Sequence, residues 1–263
     1  MKLSVITVSY NSERTIEKTI LSVLSQKTNE IEYIIVDGKS EDKTLDIINK
    51  YKDKIDIVIS EEDKGISDAF NKGIDRASGE YIAIINSDDQ FLPGAFDEFF
   101  KEVKEDTDVF FGNGIRLYTD GKCKKYMADP NVQELHKSMS LVHPSTIIRK
   151  KAYEKYGKFD INLKFVMDRE CLLRMLNGGA KFQYNDGFYA IYNMGGVSDK
   201  KYLTGVVPED YKIDLKDGMP KITAKKNYCK RCLIFYLLKL KNKIKKNDPQ
   251  KVSLEEMLER ICM

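Results

Sequence analysis

Over its first hundred residues the chain alternates short, unbroken apolar runs with stretches whose apolar residues recur at helical spacing. Leu3–Val8 precedes Ile16, Ile20, Val23 and Leu24, and Ile31–Val36 precedes Leu45, Ile47, Ile48 and Tyr51. Ile55–Ile59 precedes a helix predicted over Ile66–Ala77, and Tyr81–Ile85 precedes one whose first turn suits Pro93. Ser12 is the predicted N-cap of the first helix. Strands that are apolar throughout are buried on both faces, and their alternation with helices is the pattern of a parallel sheet covered on both sides. The predicted fold class is therefore α/β, with a mostly parallel central sheet flanked by helices.

Ligands of such sheets bind beyond the carboxyl ends of the strands. Three polar clusters stand there: Ser9-Tyr10-Asn11, Asp37-Gly38-Lys39-Ser40 and Asn86-Ser87-Asp88-Asp89. They are expected to meet in one crevice. Two adjacent acids repel each other unless a cation or a donor sits beside them, so Asp88-Asp89 reads as a site for a hard divalent ion that holds a diphosphate. A solvated turn is the rival reading. Asp37 suits a ribose or base N–H, or else caps the next helix. Asp68 opens a helix close to the crevice and faces Lys72 at a spacing suited to an ion pair. Gly38-Lys39-Ser40 is not a P-loop, because Tyr33 stands where that motif needs glycine.

After about residue 110 the pattern loosens into short predicted strands at Val109–Phe111, Ile115–Tyr118 and Thr146–Ile148, with one clear helix at Met167–Asn177. Residues 198–221 carry Gly205, Pro208, Gly218 and Pro220 and read as a linker. The net charge is only +3, but residues 218–247 contain no acidic side chain. Within 225–246, Cys229, Leu233, Tyr236, Leu240 and Ile244 follow helical spacing among lysines. Such a basic amphipathic helix is expected to lie on an anionic membrane surface, with packing on its own domain or on a second subunit as the alternative. Nucleic acid is not an expected partner, because the basic tract is interleaved with aliphatic residues rather than arranged around stacking aromatics. No stretch reaches the roughly 20 apolar residues that span a bilayer, and no secretory leader is visible. Five scattered cysteines argue against a disulfide framework, and the lone Cys229-x-x-Cys232 pair against zinc. A cytoplasmic protein at the inner face of the cell membrane is expected.

Four blocks together resemble the family 2 glycosyltransferases: V-I-T-V-S-Y-N at 5–11, V-D-G-K-S-E-D-K-T at 36–44, D-K-G-I-S-D-A-F-N-K-G-I at 63–74 and N-S-D-D at 86–89. The similarity covers roughly residues 1–200. It implies the Rossmann-like GT-A fold, with a nucleotide-sugar-binding half at 1–110 and an acceptor-binding half at 111–200. A linker and helical basic tail would fill 201–263. It further implies that Ser9, Asn11 and Asp37 line the nucleoside pocket, that Asp68 and Asp88 sit near the ribose and diphosphate, and that Asp89 is the main ligand of Mn2+ or Mg2+. Asp168, at the start of M-D-R-E-C-L-L-R-M-L at 167–176, takes the place of the catalytic base, with helix capping as the rival role. His143, in L-V-H-P-S-T-I-I-R at 141–149, is a candidate for the diphosphate or acceptor, with a structural role as the rival, and Arg169 is a candidate for the diphosphate, with a solvated side chain as the rival. Lys39 stands where a small residue is common, and Gly195-Gly196-Val197-Ser198 resembles a closing loop.

The implied reaction is metal-dependent and inverting. It carries a sugar, a hexose or N-acetylhexosamine, from a nucleoside-diphosphate donor, expected to be a UDP-sugar, to a saccharide acceptor. Lipid-linked acceptors and cell-surface polysaccharide, O-antigen or capsule synthesis are the expected setting, and self-association is left open. The alternatives are a nucleotidyltransferase and a catalytically silent sugar-nucleotide-binding protein.

Overall fold

The computed structural model describes residues 2–244 and 251–262. Strands β1 (Leu3–Ser9), β2 (Ile31–Asp37), β3 (Ile57–Ser60) and β4 (Tyr81–Asn86) lie in the order β3-β2-β1-β4, all parallel. Helices α1 (Ile16–Leu24), α2 (Thr44–Lys50) and α3 (Ile66–Arg76) connect them. A short β5 (Gln90–Phe91) and α4 (Ala95–Glu102) follow, then β6 (Val109–Leu117), β7 (Lys122–Tyr126), β8 (Thr146–Arg149), α5 (Lys150–Tyr156), α6 (Met167–Asn177) and β9 (Phe182–Asn193). β8 is inserted antiparallel between β4 and β6, and β9 runs parallel to β6 on its other side. Strands β1 to β4, β6 and β9 therefore all run one way, and their carboxyl ends share one rim.

Continuous apolar strands arise here because both faces are covered. Val5, Tyr33, Ile35, Tyr81 and Ile85 pack toward Ile16, Ile20, Phe96 and Phe99 of α1 and α4. Ile6, Ile34, Ile82 and Ile84 pack the other way, toward Phe70 and Ile74 of α3 and Leu172 and Met175 of α6. Phe99 has no exposed surface and meets Tyr81 and Phe110 edge-on, with ring centroids 5.2 Å away in each case. Truncating such a ring to alanine costs about 3–5 kcal/mol.

From Pro93 onward the structure differs from expectation in four places. The two strands predicted at 109–111 and 115–118 form one strand, β6, with irregular register around Asn113. β7 has no apolar run to announce it, and β9 opens with mixed polar and aromatic residues before the apolar run at 188–192, which the sequence reading does not include. Pro93 precedes α4 rather than opening it, and Gly94 at φ 79° is the N-cap. Residues 198–221 do not form a linker. They fold into α7 (Val197–Lys200), a π-turn at Tyr202–Val206 and α8 (Val207–Lys216), with α9 (Lys221–Ile244) beginning directly after Pro220. The residues that suggested a linker mark helix boundaries: Pro208 occupies the first turn of α8, and a Cβ at Gly205 would collide with the Phe165 ring.

α9 packs along α8, with Tyr228 edge-on to Tyr211 and Phe235 stacked on Tyr202 at 5.3 Å. The expected stripe Cys229, Leu233 and Tyr236 faces outward instead of packing. The end of that stripe, from residue 239 through 246, has no described side chains. β10 (Val252–Ser253) pairs with β7, and α10 (Leu254–Cys262) buries Met257 against Leu92, Ile115, Cys123 and Ile191. No helix among the described residues is long and apolar enough to cross a membrane.

Candidate active site

Asp37, at the end of β2, has no exposed surface, and four hydrogen bonds fill its carboxylate. Oδ1 accepts from Ser9 Oγ at 2.9 Å and Ser40 Oγ at 2.6 Å; Oδ2 accepts from the Ser40 amide at 2.9 Å and Ser60 Oγ at 3.0 Å. A carboxylate has about four acceptor positions, so Asp37 ties the ends of β1, β2 and β3 into one floor. Ser9 is spent on that floor. Asn11 crosses to the same loop, its Oδ1 accepting from the Glu41 amide and its own amide donating to Ser40 Oγ, both at 2.9 Å. Among the described residues, Asn11 at φ 48° and Lys39 at φ 61° are the non-glycine residues with positive φ, one after β1 and one after β2. That conformation costs a side chain energy and is held only where the surroundings over-determine it. It also explains why a small residue suits position 39.

The rim continues to β4. Ser87 Oγ meets Ser12 Oγ at 2.7 Å, and Thr19 Oγ1 donates to the Asp89 carbonyl at 2.7 Å. Asp89 is buried: Oδ1 accepts from the Asn193 amide at 2.9 Å, and Oδ2 faces Asn86 Nδ2 at 3.4 Å. Asn193 Nδ2 also donates to the Asp88 carbonyl. Sequence reasoning missed Asn193, which sits 104 residues from Asp89, at the end of a strand whose first half is largely polar. Asp88 reaches the wall of an open cavity of about 450 Å³, shared with Arg14, Lys18, Gln90, Asn193 and Lys200. None of those three cations has an ion-pair partner among the described residues. Burial raises the pKa of Asp88; burial and the charge of Asp88 together push Asp89 well above the ordinary carboxylate range.

This donor set suits a hard divalent cation. Asp88, Asp89 and the buried Asn86 Oδ1, which has no hydrogen-bond partner, are all oxygen ligands at one strand end. Among the described residues no three His, Cys, Asp or Glu side chains cluster tightly enough to hold an ion alone, so phosphate oxygens and water would complete the shell.

Asp68, in the first turn of α3, accepts from the Lys64 amide at 3.0 Å, with Lys72 Nζ at 3.7 Å. Lys72 lies nearer to Glu61, at 2.9 Å. The same helix carries the link to the second half: Asn71 exchanges two hydrogen bonds with the backbone of Phe159, at 2.9 and 3.0 Å. Phe70 stacks on His143 with centroids 5.4 Å apart. His143 opens the turn before β8; burial lowers its pKa, opposed by the nearby charge of Asp168, and its Nε2 is buried without a partner. Asp168, half-buried in the first turn of α6, accepts from the Arg169 amide at 2.7 Å. Its charge thus meets a first-turn amide of the helix and is felt at the His143 ring, while Val166 is the N-cap.

Arg169 departs from expectation. Its side chain is fully buried, and its guanidinium binds Asp210 at 2.7 Å, Asp214 at 2.8 Å and the carbonyls of Leu135 and His136. It is turned away from the crevice and is not placed to meet a diphosphate. Asp210 and Asp214 lie in the stretch read as a linker, which concealed their pairing.

The model of the glycosyl transferase family 2 matches residues 4–157, spanning the crevice loops, both acids of β4 and the His143 turn. The chain belongs to this family. Among curated relatives it is 38% identical over 118 residues to the "Putative teichuronic acid biosynthesis glycosyltransferase TuaG" of Bacillus subtilis, covering 44% of this chain and 47% of TuaG. It is 44% identical over 91 residues to the "UDP-Glc:alpha-D-GlcNAc-diphosphoundecaprenol beta-1,3-glucosyltransferase WfaP" of Escherichia coli, covering 34% and 36%. The chain thus spans about half or less of these relatives' lengths. The fold is shared with the crystal structure of S. aureus TarS 1–349 in complex with UDP-GlcNAc, at TM-score 0.63 and 20% identity over 88% of this chain and 72% of that one. It is also shared with the mannosyltransferase PcManGT of Pyrobaculum calidifontis in complex with GDP-Man and Mn2+, at TM-score 0.60 and 12% identity over 95% and 81%.

Proposed function

We propose that this family 2 chain is an inverting glycosyltransferase of cell-surface glycan synthesis, carrying a sugar from a UDP-sugar to a saccharide acceptor held on a lipid diphosphate. The observation that carries the reading is the Asp88-Asp89 pair, a half-buried acid on the wall of a cavity and a buried one behind it, both of raised pKa, with three cations on that wall that have no ion-pair partner among the described residues. Such a pair persists in its ionised form only beside positive charge. The UDP-glucose and diphosphoundecaprenol in the name of WfaP, and the UDP-GlcNAc bound to TarS, support the choice of donor and acceptor class.

Asp88 and Asp89 would hold Mn2+ or Mg2+, which when bound supplies charge neutralisation to the departing diphosphate. Arg14, Lys18 and Lys200 add positive charge on the same wall. The acceptor hydroxyl oxygen attacks the anomeric carbon from the Asp168 side. A carbon–oxygen bond forms, the bond to the diphosphate oxygen breaks with its electron pair, and the hydroxyl proton passes to the Asp168 carboxylate. One base and one displacement invert the anomeric centre. General-base assistance of this kind contributes about 10²–10⁴ in rate. His143, whose pKa burial lowers, packs on Phe70 with its Nε2 enclosed and lies near enough to feel the charge of Asp168.

The test is incubation with a panel of nucleotide sugars and Mn2+, reading release of nucleoside diphosphate. UDP-sugar turnover that disappears in Asp89→Ala is expected; equal turnover by both proteins would overturn the assignment. The exposed stripe Leu233, Tyr236 and Leu237 on lysine-rich α9 is proposed to rest on an anionic bilayer. The full chain is expected to float with phosphatidylglycerol vesicles, and Leu233→Ser/Leu237→Ser to float less. Equal flotation of the two proteins rejects the contact.

A further inference from the structure

Two arginines and two aspartates form a buried cluster that the transfer chemistry does not use. Arg169 has no exposed side-chain surface and Asp214 has none either; Asp210 and Arg231 are nearly as enclosed. Arg231, on α9, binds Asp214 at 2.8 Å, approaches Asp210 at 3.5 Å and donates to the Lys137 carbonyl at 2.5 Å. Asp210 and Asp214 in turn grip Arg169 on α6. The four charges cancel only as a set, and removing one leaves an uncompensated charge in the interior.

The place where this cluster grips α6 matters. Consecutive helical residues are separated by about 100° around the axis, so fixing Arg169 inward fixes the direction of Asp168 beside it. Arg169 is also tied to the carbonyls of Leu135 and His136 at 2.9 and 3.0 Å, so the first turn of α6 cannot roll without breaking several charged bonds at once. Apolar packing alone would allow that turn more freedom, since it is non-directional.

We infer that α9 is a positioning element of the catalytic half, in which Arg231 acts through Asp214 and Arg169 to hold Asp168 toward the acceptor side of the crevice. The inference rests on Asp168 being the base. It makes α9 part of the working enzyme as well as a surface helix, and couples whatever docks on its outer face to the aim of the carboxylate.

The experiment uses full-length Arg231→Met, Arg231→Lys and the double variant Asp214→Asn/Arg231→Met, with UDP release from UDP-glucose or UDP-N-acetylglucosamine in Mn2+ as the readout. Arg231→Met is expected to lower kcat about tenfold with the donor KM within about twofold of wild type, as misaimed catalytic groups do. Arg231→Lys is expected to recover at least half of the loss. Wild-type kcat in Arg231→Met, or a fall that merely follows the folded fraction, overturns the inference. If Arg231→Met does not fold, the double variant decides. It removes one charge of each sign, so a reduced kcat at unchanged KM supports positioning and a wild-type kcat rejects it. Asp168→Asn is measured alongside. Wild-type turnover there removes the base reading and this inference with it, whereas an inactive Asp168→Asn beside fully active Arg231 variants removes the inference alone.

Discussion

The proposed donor side and the proposed acceptor side of this chain are held by different physics. On the donor side, strand ends are knitted by short polar residues: Asp37 with Ser9, Ser40 and Ser60, Asn11 with the Glu41 amide, and Ser12 with Ser87. On the acceptor side, aromatic stacking around His143 and a buried ionic cluster around Arg169 set the geometry. Hydrogen bonds between neutral groups and one carboxylate tolerate the loss of a member, at about 0.5–1.5 kcal/mol net each. A closed set of buried charges does not. The donor side is therefore expected to degrade gradually and the acceptor side abruptly.

The largest effect expected is on catalysis. Asp168→Asn should lower transfer by about 10²–10⁴ while leaving UDP affinity, measured by calorimetry, unchanged. An equal loss of UDP binding would move Asp168 to the donor side. Next, Arg169→Met should cost about 3–5 kcal/mol in urea unfolding, because Asp210 and Asp214 lose their shared partner. Ser40→Ala, on the donor side, should cost about 2 kcal/mol, because its hydroxyl both donates to Asp37 and accepts from the Asn11 amide, and a loss equal to that of Arg169→Met would erase the contrast.

A pH experiment sharpens the comparison at the Asp88-Asp89 pair. Asp88 and Asp89 have folded pKa values raised above their unfolded ones. The folded state keeps their protons longer, so without metal their contribution to stability declines as pH rises from the ordinary carboxylate pKa through the raised values. Asp89→Asn removes most of this term. In metal-free buffer its Tm, relative to wild type, should increase from pH 4.5 to pH 7.5, although it transfers no sugar. A constant difference across that range would show that the pair is not electrostatically strained. The smallest effect is expected for Asn193→Ala, about 1 kcal/mol, since the backbone amide that holds Asp89 remains.

This division also governs what the sequence disclosed. β1 to β4 are apolar runs that end in polar clusters, and each cluster lies within a few residues of its strand, so the rim and its residues Ser9, Asn11, Asp37, Asp88 and Asp89 were readable. α6 was readable in full, because its apolar face repeats along one helix. The acceptor side was not. Arg169 pairs with aspartates 41 and 45 residues away, and Asp89 with a backbone amide 104 residues away. No local pattern encodes such pairings, so Arg169 looked like a free cation and its partners looked like a linker. β9 escaped notice because its edges mix asparagine, glutamine and tyrosine with apolar residues. Asp37 stands at a strand end, as its sequence position implies, but its hydrogen-bond partners come from β1, β3 and the loop after β2.

The insertion of β8 between β4 and β6 has a consequence for how the chain is made. Tyr81–Ala83 pairs with Ile147–Arg149, so the edge of β4 stays open until residue 149 has left the ribosome. Until then a strand of Tyr-Ile-Ala-Ile-Ile presents unpaired backbone groups, the surface on which neighbouring chains aggregate. A fragment ending near residue 110 should accordingly precipitate, and synthesis of the intact protein should depend on how quickly that one short strand arrives.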